Sequence, residues 1–270
     1  MGTMKTSRER QRHQPEQLGR AQRQSARERS RTLVLALETA TNACSVALFS
    51  TAGERLGEIV AEAGPAHTRR LLPDVHYLLS MVDADVTAIG TVIVGLGPGS
   101  FTGLRIGVAS ARALAQAGEG VELVGVPTLT ALAWCLAEGE ADASAQDFLA
   151  LIDGKRSEVF AARFTRQPAS GRQATLTVAE PHLAVVRAEE LPEFLAQWPG
   201  AVVGGDGARL YADRLPPVVF AARAVAAPTA TMVARAWFAG VPGVVTGLAA
   251  VLPVYGRGPD AQPWRREVNR

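Results

Sequence analysis

A glycine-rich stretch that joins a strand to a helix constrains this chain more than any other feature. Residues 91–94 are a run of Thr, Val, Ile and Val that predicts a buried strand, and the residues after the glycines predict a helix. Between them, Gly97 and Gly99 permit backbone angles that other residues resist, and Ser100 or Thr102 can cap the helix. A strand, a tight turn and a helix in this order build a parallel sheet, so we expect an α/β fold.

The same stretch does not match the established phosphate-binding patterns. A Walker A loop needs a Lys followed by Ser or Thr, and the chain has no Lys between Lys5 and Lys155. The helix carries a different signal, because Gly103, Gly107 and Ala111 lie four residues apart on one face. Glycine destabilises a helix by about 1 kcal/mol relative to alanine. We therefore expect this face to lie close to another backbone, either in the same chain or in a partner.

The charge of the chain is unevenly distributed. Residues 1–31 carry nine Lys or Arg and three Glu, a net charge of +6, so the remainder of this +2 chain carries 2 − 6 = −4. The arm has no apolar run that could form a core, and we expect it to be disordered. It either contacts RNA phosphates or is an extension without a role. The mildly acidic remainder is not typical of a general nucleic-acid-binding protein.

The pattern along the chain predicts two α/β blocks. In each block a strand meander comes first and strand–helix alternation follows, with a small polar hinge at 139–146. The expected organisation is a basic arm at 1–31, a first lobe at 32–138, a second and reduced lobe at 147–255, and a loose tail at 256–270. Cys44 and Cys135 form no close pair in sequence, which fits a reducing cytoplasm, and no apolar run is long enough to span a membrane.

The residues that usually carry catalysis or bind metal are poorly spaced for either task. His67 and His76 are nine positions apart, so they point to opposite faces of a helix and cannot hold one ion together. Ser100 is not part of a Gly-x-Ser-x-Gly nucleophile motif. We expect no catalytic residue, no bound metal and no cofactor.

Five stretches of the sequence together resemble the TsaB family of bacterial tRNA-modification proteins. They are residues 35–48, 67–73, 95–115, 125–129 and 253–255. Their order and spacing match over about residues 32–255, most specifically in the N-terminal half. The resemblance implies an actin-like (ASKHA) two-lobed fold, in which each lobe has a mixed sheet with a strand meander plus helices and the second lobe is reduced.

The resemblance also implies a function. TsaB relatives are non-catalytic subunits in the synthesis of N6-threonylcarbamoyladenosine next to the tRNA anticodon. They pair with and activate the transferase subunit TsaD, the ATPase TsaE joins the pair, and tRNA is contacted only indirectly; a homodimer can form when the subunit is alone. The family pairs through two helices of the first lobe, here 67–82 and 100–117. The implied interface residues are Leu71, Leu72, Val75, Leu79, Gly103, Leu104, Gly107, Ser110 and Ala111.

An actin-like fold leaves a nucleotide-binding or ATP-hydrolysing enzyme as the alternative. The older naming of the family suggests a peptidase as a third. The candidate nucleotide-binding residues are Glu38, Thr39, Gly97, Gly99, Gly204 and Gly205. Glu38 stands where actin-like ATPases carry an acidic residue, but the glycine of their phosphate loop is absent, so Glu38 could instead bind a metal or cap a turn. Asp153, which precedes a glycine, could be catalytic or a turn residue.

Overall fold

Two mixed β-sheets and six α-helices make up the described part of the chain. A computed structural model describes residues 32–62, 66–139, 145–167, 175–178, 183–215, 227–257 and 262–263. The strands are β1 (Leu33–Glu38), β2 (Ala43–Ser50), β3 (Arg55–Glu62), β4 (Ile89–Gly95), β5 (Glu122–Val126), β6 (Asp147–Lys155), β7 (Glu158–Gln167), β8 (Thr175–Val178), β9 (Ala184–Arg187), β10 (Val202–Gly204), β11 (Val245–Thr246) and β12 (Gln262–Pro263). The helices are α1 (His67–Ser80), α2 (Phe101–Ala117), α3 (Thr128–Gly139), α4 (Leu191–Ala196), α5 (Asp206–Leu210) and α6 (Ala230–Phe238).

The first sheet has the strand order β11-β5-β4-β1-β2-β3. β1, β2 and β3 form an antiparallel meander, and β4 and β5 extend the sheet in parallel from β1. β1 is buried along its whole length, as expected for a central strand, whereas the edge strand β3 is largely exposed. A three-stranded meander continued by parallel strands, and repeated in the second half of the chain, is the actin-like topology that the resemblance implied.

Helices cover both faces of the first sheet. α1 packs on β2 and β3 while α2 packs on β4 and β5, so the two helices lie side by side on one face, and α6 packs on the opposite face. Leu71 and Leu79 of α1 and Val108 of α2 join the sheet residues in one core. Ser100 begins α2 by accepting a hydrogen bond from the Gly103 amide at 3.2 Å, which confirms one of its two expected caps. None of the described helices is long and apolar enough to cross a membrane.

The second sheet has the order β10-β6-β7-β9-β12, with β8 paired to β7. α4 and α5 pack on one face of this sheet and α3 packs on the other. α3 contacts both sheets, since Leu132 and Leu136 pack into the second lobe while Ala131 faces the first-sheet core. Because both lobes cover it, most of α3 is buried, and its sequence is mainly apolar apart from two threonines in its first turn and Glu138 near its end.

The chain returns to the first lobe near its end, and this corrects the expected boundary. α6 packs on β1, β2 and β4, and β11 pairs with β5 of the first sheet. Residues 227–255 therefore belong mostly to the first lobe, not to a second lobe running from 147 to 255. Sequence periodicity shows which segments are helices or strands but not which sheet a late element joins. The 1–31 arm and most of the 256–270 tail lie outside the described residues.

Candidate functional site

Glu38 lies at the end of β1 and turns into the protein interior. Its side chain is fully buried, and its two oxygens accept hydrogen bonds from the Ala40 amide (2.6 Å) and the Thr128 hydroxyl (2.9 Å). The Thr128 oxygen in turn accepts from the Gly97 amide at 3.0 Å. Burial raises the pKa of Glu38 to about 7, although both hydrogen bonds act in the opposite direction. Of the roles left open for Glu38, the turn cap is the one observed.

The glycine turn before α2 is filled by the chain's own backbone. Gly97 has a φ of +97°, and an added Cβ would collide with Leu104 and approach the Val254 carbonyl. A Cβ at Gly99 would collide with the Ala40 carbonyl, which accepts a hydrogen bond from the Ser100 amide at 2.6 Å. These glycines permit close packing of three segments and leave no cradle for a phosphate. The prediction that Gly97 and Gly99 bind a nucleotide is therefore wrong.

The glycine face of α2 also packs inside the chain. Added Cβ atoms at Gly103 and Gly107 would collide with Thr39, whose hydroxyl donates to the Gly103 carbonyl at 2.9 Å. Thr39 itself is fully buried, which removes it from the nucleotide-binding candidates as well. The expected close approach is confirmed, but the element that approaches α2 is the β1–β2 turn of the same chain. The prediction that Gly103 and Gly107 contact a partner is therefore wrong.

Most of the other predicted interface residues belong to the core of the first lobe. They are Leu71, Val75, Leu79, Leu104 and Ala111, each at most 3% exposed. A stripe of leucines at helical spacing marks the face that packs on the sheet, and this explains the error. Only Leu72, at 51% exposed, and the half-buried Ser110 can be reached from solvent in the isolated chain.

A different face of the same two helices is exposed. On α1 it carries Arg69, Leu72, His76 and Tyr77, and on α2 it carries Phe101, Arg105, Ala109 and Ala113. We call these eight residues the outer face. The sequence signal for it was present but overlooked: Ala109 and Ala113 are spaced four apart on the side of α2 opposite Gly107, so they leave room for a neighbouring helix.

The C-terminal segment extends the outer face. The Phe101 and Tyr255 rings lie 4.9 Å apart, and the Arg105 guanidinium lies 5.2 Å from the Phe101 ring centre. Arg112 donates to the Leu248 and Val251 carbonyls and so fastens this segment to α2. The side chains of Leu252, Val254 and Tyr255 are exposed beside α2. The result is a continuous surface of apolar and cationic groups.

A cleft of about 760 Å³ separates the two lobes. It is lined by Thr41, Asn42, Ala43, Val60, Glu62, Asp153, Asp206, Arg209, Leu210, Ala227, Thr229 and Met232. Asp206 accepts from the Asp153 amide at 3.2 Å, and the Lys155 ammonium bridges Asp153 (2.7 Å) and Asn42 (3.4 Å) across the cleft. Burial raises the pKa of Asp206 to about 6. Asp153 also accepts from the Lys155 amide at 2.9 Å, which is a turn contact.

The double glycine beside this cleft does not face it. A Cβ at Gly204 would collide with Leu136 of α3, and a Cβ at Gly205 would collide with the Leu151 carbonyl. Both glycines are buried, and Gly205 has a φ of +113°, which explains the glycine at that turn. All six predicted nucleotide-binding residues therefore take part in internal packing.

The two cysteines have no feature of a nucleophile. Burial raises the pKa of Cys44 to about 11 and that of Cys135 to about 12, so both stay as thiols at neutral pH.

The two histidines of α1 lie on different faces of the helix, as their spacing predicted. The His67 ring lies 3.3 Å from the Ala43 carbonyl and is buried, whereas His76 is exposed. Within the described residues, no three His, Cys, Asp or Glu side chains are grouped so that they could hold a metal ion.

Comparison with known proteins identifies the family. The family model described as TsaD, tRNA N6-adenosine threonylcarbamoyltransferase, matches residues 57–193, about half of the chain. YeaZ from Pseudomonas aeruginosa has 30% sequence identity and a TM-score of 0.64, over 83% of this chain and 99% of that chain. The tRNA threonylcarbamoyladenosine biosynthesis protein TsaB of Escherichia coli is 39% identical over 136 residues, and that of Haemophilus influenzae is 35% identical over 134. The chain belongs to the TsaB family.

The extent of the match differs between the sequence comparison and the structural comparison. The aligned part covers 49% of this chain and 55% of the Escherichia coli TsaB, and 54% of the Haemophilus influenzae TsaB, so the chain spans about half the length of the curated relatives it matches. The structural match to YeaZ, in contrast, extends over nearly the whole of that chain. The TsaB fold is therefore shared across both lobes, while sequence similarity to the curated TsaB proteins is limited to about half of the chain.

Proposed function

We propose that this TsaB-family chain is a non-catalytic subunit of the system that makes N6-threonylcarbamoyladenosine in tRNA, and that its outer face docks and activates a TsaD-type transferase subunit. The relatives' names supply the reaction. The observation that carries the docking role is the outer face itself, which combines exposed apolar side chains, two small residues and unneutralised arginines. Such a combination is typical of a protein-binding surface.

The charge of the two helices favours a partner that differs from this chain. α1 and α2 contain one acidic residue, Asp74, which is buried and pairs with Arg70 at 3.0 Å. Arg69 and Arg105 have no carboxylate opposite them on either helix. A second copy docked on this face would bring arginines together, whereas a surface with carboxylates would complement them. We therefore expect the heterodimer to be tighter than a homodimer, which can form when the chain is alone.

Co-purification with the TsaD-type subunit of the same organism tests the docking role. Ala109→Trp places a large side chain in the middle of the outer face, and Ala196→Trp makes the same change on an exposed helix position of the second lobe. We expect Ala109→Trp to abolish pairing and Ala196→Trp to leave it intact, with both variants folded by circular dichroism. Equal pairing of the two variants would contradict the proposal.

The non-catalytic role is tested in a reconstituted modification reaction. This reaction contains tRNA, threonylcarbamoyl adenylate as the donor of the transferred group, the TsaD-type subunit and a TsaE-type ATPase. We propose the TsaE-type ATPase as the third protein partner. Asp206→Asn removes the cleft carboxyl whose pKa is raised by burial, and it leaves the outer face unchanged. We therefore expect the modification rate to stay within about twofold of wild type. A rate loss of several orders of magnitude with intact pairing would instead indicate catalysis by this chain. We place the complex in the cytoplasm, which suits two free cysteines.

Nucleotide binding in the interlobe cleft is the second candidate function, favoured by the 760 Å³ volume and by the Asp153–Lys155–Asn42 contacts. Calorimetry of the purified chain with ATP and Mg²⁺ distinguishes it from the first. We expect no saturable heat, because the glycines that would approach phosphates are packed against the chain's own backbone. Stoichiometric binding that Asp206→Asn weakens would establish the second candidate.

A further inference from the structure

Three arginines line one cavity of about 250 Å³ on the second lobe. Arg156 comes from the β6–β7 turn, Arg187 ends β9, and Arg214 ends a short 3-10 helix, Ala212–Arg214. The Ala188 amide donates to the Ser157 carbonyl at 2.8 Å and fixes the turn against the end of β9. Three segments that are distant in sequence thus each contribute a cationic side chain to the lining of one cavity.

The carboxylates of this cavity neutralise its arginines only in part. One oxygen of Glu158 accepts two hydrogen bonds from Arg257, at 2.7 and 3.0 Å. Glu189 is exposed, and its oxygen lies 3.7 Å from Arg187. In the part of the chain that the structure describes, no carboxylate forms an ion pair with Arg156 or Arg214. With Arg257 counted beside the three arginines of the cavity, four arginines against two glutamates leave a local charge of 4 − 2 = +2, which favours an anion.

The backbone of the turn is held in an unusual conformation. Lys155, Arg156 and Ser157 have φ angles of +60°, +54° and +59°, a left-handed run that side-chain-bearing residues rarely adopt. Such a conformation persists only where its surroundings enforce it. Here the enforcing contacts are the Ala188–Ser157 hydrogen bond and the Arg257 guanidinium, which donates to the Gly154 carbonyl at 3.1 Å.

We propose that this cavity binds a phosphate group of the tRNA backbone. The proposal rests on the proposed function and differs from the expectation that tRNA is contacted only indirectly. Guanidinium groups pair with phosphate oxygens in bidentate fashion, and the three arginines line the same cavity. Arg156, Arg187 and Arg214 are all exposed, so a single free phosphate would be held weakly against solvent screening. A polyanion gains in addition from counterion release, which favours a nucleic-acid backbone.

Fluorescence anisotropy with a labelled tRNA transcript, measured with the full chain over a series of salt concentrations, tests the proposal. The variants are Arg156→Ala and Arg214→Ala, and Arg209→Ala is the matched control, since Arg209 is an exposed arginine of the same lobe that lines the interlobe cleft. The basic 1–31 arm is the same in all the proteins, so its contribution cancels. We expect Arg156→Ala and Arg214→Ala each to weaken binding about three- to tenfold and to lower the salt slope by about 1.

A second measurement separates a phosphate pocket from an RNA contact. Inorganic phosphate is titrated into the wild type and into the Arg156→Ala/Arg214→Ala double variant while the amide resonances of Ser157 and Ala188 are followed by NMR. Saturable shifts that the double variant loses, together with its weakened tRNA binding, support the proposal. The proposal is overturned if the cavity variants bind tRNA as tightly as Arg209→Ala does, whether or not phosphate shifts the two amide resonances. Pairing with the TsaD-type subunit should be normal in all these variants, so failure here is distinguishable from failure of the proposed function.

Discussion

The fully buried carboxyl of Glu38 should make the stability of this protein fall as the pH rises from 5 to 8. The perturbation that reveals this is Glu38→Gln, which keeps the size of the side chain and one carbonyl oxygen but cannot ionise. The glutamine amide replaces the oxygen that accepts from Thr128, and this lost acceptor should cost about 1 kcal/mol. At low pH the substitution is therefore neutral or slightly destabilising.

The magnitude follows from the pKa of Glu38 in the two states. The pKa is 4.5 in the unfolded chain and about 7 in the folded chain, so the folded chain keeps a proton that the unfolded chain has lost between these values. The titration of Glu38 therefore leaves the unfolding free energy unchanged below pH 4.5. It lowers the unfolding free energy between pH 4.5 and 7, and the loss is complete above pH 7. The rise of the pKa from 4.5 to about 7 corresponds to a total loss of roughly 3 kcal/mol. Most of this loss falls between pH 5 and pH 8.

Urea unfolding at pH 5, 6, 7 and 8, followed by tryptophan fluorescence, measures the effect. The quantity of interest is the unfolding free energy of Glu38→Gln minus that of wild type, because other titrating groups such as Asp206 are present in both proteins and cancel. We expect the two proteins to be nearly equal at pH 5 and the variant to be about 2 kcal/mol more stable at pH 8. Glu119→Gln, at an exposed position, controls for net charge. A difference that varies by less than about 0.5 kcal/mol over this range would refute the reasoning.

Three further substitutions, one of them with a matched control, test the packing. Gly107→Leu should unfold the chain or cost more than about 3 kcal/mol, because its side chain would enter the β1–β2 turn, whereas Ala109→Leu should change the thermal midpoint little. Thr128→Val should cost about 2–3 kcal/mol in urea unfolding, since it leaves a buried amide and a buried carboxyl each short of a partner. Arg112→Ala should cost about 1 kcal/mol and speed limited proteolysis within residues 248–255, which it otherwise fastens to α2. Unchanged proteolysis there would mean that other contacts hold the segment.

Local patterns predicted the elements of this fold well, because each depends on nearby residues. The meander, the strand–glycine turn–helix unit and the cap at Ser100 all follow from periodicity and hydrogen-bonding side chains. Partners distant in sequence could not be predicted in this way. Glu38 and Thr128 are 90 residues apart, and only the folded chain brings the carboxylate to the hydroxyl. The return of α6 to the first lobe is likewise a property of the topology.

The predicted interface coincides with the buried faces of both α1 and α2, and on α2 the reason is physical. α2 carries small residues on two opposite sides, Gly103 and Gly107 on one and Ala109 and Ala113 on the other. Glycine is needed only where even a Cβ would collide, and here that is against the β1–β2 turn. Alanine suffices where a separate protein approaches, since helix axes 8–10 Å apart leave room for a methyl group. On α2 the row of glycines thus marks a contact within the chain, and the alanine row on the exposed side is where pairing should be tested.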